Sequence, residues 1–123
     1  MSIEMYQKSL ELSENFISSR FHLGLMFHRT NKFHQALKCF SAVLTKLPDD
    51  KTVYISRGLV YQDMGNHQFA VDDFNKAIEL KPNSSEAYYR RGISKLKSRY
   101  YIEAIDDFKK AYDLLYQAAE DEE

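Results

Sequence analysis

Four histidines and one cysteine are the residues of this 123-residue chain most able to hold a metal or act as nucleophiles. His22, His28 and His34 follow one another at intervals of six, which scatters them around a helix instead of gathering them on one face. His67 stands far from them, and no Cys-x2-Cys or His-x3-His pair exists, so no metal site is expected. Cys39 has no partner for an internal disulfide, which fits a reducing, cytosol-like compartment. It sits where a small buried apolar residue belongs. Paired carboxylates occur at Asp72-Asp73 and again at Asp106-Asp107, but they return with a fixed period, as scaffold residues do and catalytic ones do not. No phosphate-binding glycine loop is present. The expectation is therefore no catalytic residue, no cofactor and no metal.

The elements that carry these residues are set by that period. Gly24, Gly58 and Gly92 are 34 residues apart, as are Ala36, Ala70 and Ala104, and Phe40, Phe74 and Phe108. Pro48 and Pro82 obey the same step. Self-similarity at this length marks stacked helical units, each unable to bury its apolar face alone. Two prolines, four glycines, nine tyrosines and eight phenylalanines leave little room for long loops and supply ample bulk for packing. The fold class is all-α.

Taken in order, residues 1–16 read as an amphipathic helix on Ile3, Tyr6 and Leu10. Shifted by one period they match the second helix of a unit whose first helix is missing. Two readings stand: the end of a preceding repeat, which makes the chain a piece of a longer array, or an N-terminal capping helix. Residues 17–50 form repeat one, with helices over 18–30 and 33–46. Repeat two spans 51–84 and repeat three 85–118. Proline ends the second helix of the first two units. Asp49 or Asp50 is expected to cap the next helix, Asn66 the second helix of repeat two, and Asn83 with Glu86 the start of repeat three. Repeat three departs from the pattern. Arg99 replaces the turn glycine Gly65, Lys95 replaces the aromatic of Phe27 and Tyr61, and Tyr116 stands where proline would. Its last helix is expected to run on to Ala119, and the acidic tail 119–123 to fray against the helix dipole.

One substitution is correlated. Arg57 and Arg91 each precede an aspartate, Asp73 and Asp107, by 16 residues, and repeat one has Leu23 and Cys39 in those two places. Both members change together, so ion pairs Arg57–Asp73 and Arg91–Asp107 are expected inside repeats two and three.

The Gly-x2-aromatic motifs Gly24/Phe27 and Gly58/Tyr61, followed by Ala-x3-Phe in every unit and proline in two, resemble tetratricopeptide repeats (TPRs) over 17–118, with 1–16 a half-repeat. The large aromatic of the first helix is Tyr54 and Tyr88 but Arg20 in repeat one, the loosest part of the match. The resemblance implies an α-solenoid of antiparallel helix pairs in a right-handed superhelix. It also implies a concave groove, lined by the first helices, that binds a peptide segment of another protein. On that frame the inward positions are Phe21, His22, Leu25 and Arg29; Ile55, Ser56, Leu59 and Asp63; and Tyr89, Arg90, Ile93 and Lys97. Phe21, Ile55 and Tyr89 make one apolar row, and Leu25, Leu59 and Ile93 the next. Such rows tend to mark interaction sites. The carboxylate clamp of chaperone cofactors would fall on Phe21, Leu25, Ser56, Glu86 and Arg90, where only Arg90 has the required chemistry.

Net charge of −1 with mixed signs gives no basic face for nucleic acid. No run approaches the ~18 apolar residues that span a bilayer. The expected function is a non-enzymatic protein-binding scaffold. A self-associating module through the terminal helices, at Leu115, Tyr116 and 1–16, is one alternative, and a chaperone cofactor binding a C-terminal peptide is a second, disfavoured by the mostly absent clamp. The compartment is expected to be cytoplasmic, with nucleus and cilium equally compatible with the sequence.

Overall fold

A computed structural model describes the backbone of residues 3–121 and the side chains of 16–117. Its helices are α1 (Ile3–Arg29), α2 (Phe33–Lys46), α3 (Lys51–Asp63), α4 (His67–Leu80), α5 (Ser85–Lys97) and α6 (Tyr101–Asp121), with no strand among the described residues. The chain divides into two compact units, 1–48 and 49–123. The first pairs α1 with α2. The second pairs α3 with α4 and α5 with α6, and stacks α5 on α4.

Each pair closes at a close-approach glycine. A methyl group at Gly24 would come within 2.7 Å of the Phe40 ring, one at Gly58 within 2.7 Å of Phe74, and one at Gly92 within 2.8 Å of Phe108. Only hydrogen fits, so the glycine of the first helix and the phenylalanine of the second are two halves of one contact. Phe40 and Phe74 are fully buried; Phe108 is less covered, since no further helix of the described residues lies over α6. Ala36, Ala70 and Ala104 complete the tight faces.

Three turns between paired helices share one geometry. Asn31, Gly65 and Arg99 are left-handed, at φ 63°, 83° and 69°. The next residue's amide in each, at Lys32, Asn66 and Tyr100, donates 2.8 Å to the carbonyl five residues back. This double-bonded C-terminal cap satisfies carbonyls the helix leaves open. Arg99 adopts that conformation without glycine, at a cost of about 1–2 kcal/mol.

The expected start signals hold in part. Asp50 accepts from the amides of Thr52 at 3.0 Å and Val53 at 3.3 Å and caps α3. Asn66 precedes α4 but its side chain caps nothing. The cap of α5 is Ser84, which accepts from the Ala87 amide at 3.3 Å, so the cap lies one residue after Asn83 and, with alanine at the third helical position, the anticipated box does not form. Between residues 16 and 17 there is no helix break: α1 continues unbroken from Ile3 to Arg29. The side chains of 1–15, on which the half-repeat reading rests, lie outside the described residues. Lacking a proline at 116, α6 runs to Asp121; the end of the acidic tail, 122–123, lies outside the described residues.

Candidate interaction face and its supports

In the first unit Phe21 is half-buried, with its ring 5.7 Å from Phe40 and 5.7 Å from His22. His22 donates from Nδ1 to the Ser18 carbonyl at 2.7 Å, which fixes the imidazole along α1. Leu25 and Arg29 are exposed.

In the second unit Ile55 is buried in a cluster with Ala70, Phe74, Ala77 and Ala87, and Leu59 packs against that cluster half-buried. Ser56 is buried; Asp63 and Lys97 are exposed; Ile93 is half-buried. Tyr89 is 48% exposed, with its ring 5.9 Å from Phe108. Arg90 lies 5.5 Å above the Tyr89 ring, and its Nε is 4.0 Å from Glu86. Of the anticipated groove positions in this unit, Tyr89, Leu59 and Ile93 offer accessible apolar surface, while Ile55 serves the core.

Two ion pairs hold the first helices in register with the second. Arg57 donates from Nε to Asp73 Oδ2 at 2.9 Å and from Nη2 to Oδ1 at 2.7 Å. Arg91 makes the same fork to Asp107 at 2.9 and 2.6 Å. Both pairs anticipated from the correlated substitution are present. Lys95, in the place of the missing aromatic, adds its Nζ 3.5 Å from Asp107. The Asp73 hydrogen bond raises the Arg57 pKa and keeps it charged, while burial pushes the Asp73 carboxyl up against the pull of that arginine.

Other polar contacts were not legible in the repeat. Gln62 donates from Nε2 to the Arg90 carbonyl at 2.9 Å and to Ser94 Oγ at 2.7 Å. His67 Nδ1 lies 3.4 Å from the same hydroxyl, and Arg91 Nη1 donates to Asn75 Oδ1 at 2.8 Å. Burial, then the nearby Lys97 charge, lowers the His67 pKa. These residues tie repeat three to repeat two, and Gln62, His67, Asn75 and Ser94 are each specific to one repeat, so periodicity hides them.

Of the remaining histidines, His28 packs edge-on at 6.0 Å from Phe33 and His34 is exposed. Cys39 is buried. Among the described residues no group of three His, Cys, Asp or Glu side chains could hold a metal, and no helix is long and apolar enough to cross a membrane.

The tetratricopeptide repeat family matches residues 52–84, the middle repeat. The chain is folded as a tetratricopeptide-repeat array. Its TPR fold is similar to the first TPR domain of Spaghetti (RPAP3) bound to the HSP90 peptide SRMEEVD, with TM-score 0.77 and 21% identity, covering 80% of this chain and 78% of that one. It is also similar to MamA, with TM-score 0.81 and 25% identity over 85% of this chain and 61% of MamA. The type III secretion translocator chaperone SycD of Yersinia enterocolitica matches with TM-score 0.82 and 18% identity, over 86% and 80%. No curated protein matches the chain.

Proposed function

We propose that this TPR array is a non-enzymatic scaffold that binds an extended or amphipathic peptide segment of a partner protein. Within the second unit, Leu59, Tyr89 and Ile93 would contact its apolar side chains, with Asp63, Arg90 and Lys97 setting orientation; Phe21, Leu25, His22 and Arg29 of the first unit offer the same kinds of group. The observation that carries the reading is Tyr89: a large aromatic held by Phe108 beneath and Arg90 above, yet 48% exposed. Tyrosine in that state is a ready anchor, since it brings contact area at low entropic cost. Ile55, although it belongs to the same row, supports the stripe from within the core and is not counted among the contacts. A cytosolic setting accords with the lone buried Cys39.

The HSP90 peptide SRMEEVD is bound by the Spaghetti domains. We do not propose it as the ligand here. Phe21, Leu25, Ser56 and Glu86 lack the cationic and amide groups needed to hold a terminal carboxylate, and Glu86 would repel one.

The test is selection of binding peptides from a displayed library, followed by titration of the selected peptide against the wild type and a Tyr89→Ala variant. The position is exposed, so the fold should survive. Loss of one hot-spot aromatic of about 2 kcal/mol corresponds to roughly thirty-fold weaker binding. Equal affinity for both proteins refutes the reading.

A further inference from the structure

Inside the second unit the seam between repeats two and three has a receiving side, Gln62, His67 and Asn75, and an arriving side, Arg91 and Ser94. Move the receiving side forward by one period and it becomes Leu96, Tyr101 and Lys109. Move the arriving side back by two periods and it becomes Leu23 and Met26 on α1. Each polar pair loses both partners at once. Gln62–Ser94 becomes Leu96–Met26, and Asn75–Arg91 becomes Lys109–Leu23.

Both replaced sides are open. Leu23 is 41% and Met26 65% exposed, and on the other end Leu96 is 45%, Ile105 53% and Tyr112 65% exposed. Ile105 and Tyr112 stand where Val71 and Ile78 stand on α4, the helix that α5 covers. Because α1 runs straight from Ile3 to Arg29, no second helix among the described residues lies over Leu23 and Met26. Apolar patches of this extent mark contacts with other molecules.

The replacements also specify the occupant. A helix like α5 would set its arginine against Lys109, a like-charge clash. Helix α1 brings Leu23 instead, which can lie along the aliphatic stem of that lysine. We propose that copies of this chain stack head to tail, with α1 of one copy covering the α5–α6 end of the next. The contact is heterologous, so each copy keeps one free end and assembly can pass beyond the dimer. The peptide-binding stripe contributes none of these residues, so this inference stands or falls independently of that function.

Sedimentation velocity of the whole chain, with concentration raised through the micromolar range, tests it. The wild type is expected to show concentration-dependent mass that grows past a dimer. Met26→Glu blocks one end and Ile105→Glu the other, so each alone should be monomeric. Mixed, they should form a one-to-one dimer that grows no further, since the two ends left over are the blocked ones. Circular dichroism checks that both variants fold, with Tyr112→Glu as the second α6 variant should Ile105→Glu fail. A monomeric wild type, self-association retained in Met26→Glu, as α6-to-α6 pairing would give, or a mixture that stays monomeric each overturns the proposal.

Discussion

Removing Asp73 alone should destabilise the chain far more than removing it together with Arg57. The Asp73 side chain is 6% exposed and the Arg57 side chain 22%, and two charge-assisted bonds of 2.9 and 2.7 Å join them. Asp73→Cys leaves the guanidinium enclosed and without its carboxylate. Stranding one member of such a pair costs about 3–5 kcal/mol. Arg57 keeps some access to water and its stacking over Tyr54 at 5.7 Å, which argues for the lower end, about 3 kcal/mol. The double change Arg57→Leu/Asp73→Cys installs the apolar pair that repeat one already carries at Leu23 and Cys39. It also removes the desolvation of the carboxylate, whose pKa burial has pushed up. The double variant should therefore lie within about 1 kcal/mol of the wild type. Urea unfolding followed by helix signal measures this. With a slope of about 2 kcal/mol per molar urea, the single change should lower the midpoint by roughly 1.5 M. The reasoning fails if the single change costs under about 1 kcal/mol, or if the double change costs the sum of the two singles.

Other outcomes follow from the same contacts. Gly58→Ala places a methyl 2.7 Å from the Phe74 ring and should cost about 1–3 kcal/mol by thermal unfolding, whereas a neutral result would mean the ring can move aside. Phe74→Ala should cost about 3–5 kcal/mol and Phe108→Ala less, because Phe108 is only half-buried; the same unfolding assay ranks them. Arg99→Gly relieves a left-handed arginine and should gain up to about 1 kcal/mol after the added freedom of the unfolded chain is subtracted. The lowered pKa of His67 means that its stabilising effect is present above the unfolded value of about 6.5 and is lost as pH falls toward the folded value. Proton NMR titration should place the His67 midpoint below that of a model peptide.

Much of the frame was legible because period 34 repeats the residues that sterics demand. Gly58 and Phe74 are one contact, so neither can drift without the other. The Arg–Asp pairs were legible for a related reason: repeat one changes both partners, which only contact explains. The start of α5 was misplaced by one residue because Asn83 and Ser84 are both good caps and only the backbone path chooses between them. The continuity of α1 escaped because shift-matching at Tyr6 and Leu10 sees side-chain pattern, and nothing in 11–17 is a strong helix breaker. Ile55 was placed on the stripe by frame alone; periodicity assigns a face but not a depth, and the small residues Ala70, Ala77 and Ala87 draw that side chain into the core. Gln62, His67, Asn75 and Ser94 were illegible because they act once, at one seam.

The measurement that bears most directly on the proposed function is residue-resolved NMR of the labelled chain during titration with its selected peptide. Perturbations should concentrate on Leu59, Tyr89, Arg90 and Ile93 and saturate together. Saturable perturbations confined to the outer positions of α2, α4 or α6, with Tyr89 and Leu59 unmoved, would contradict the account.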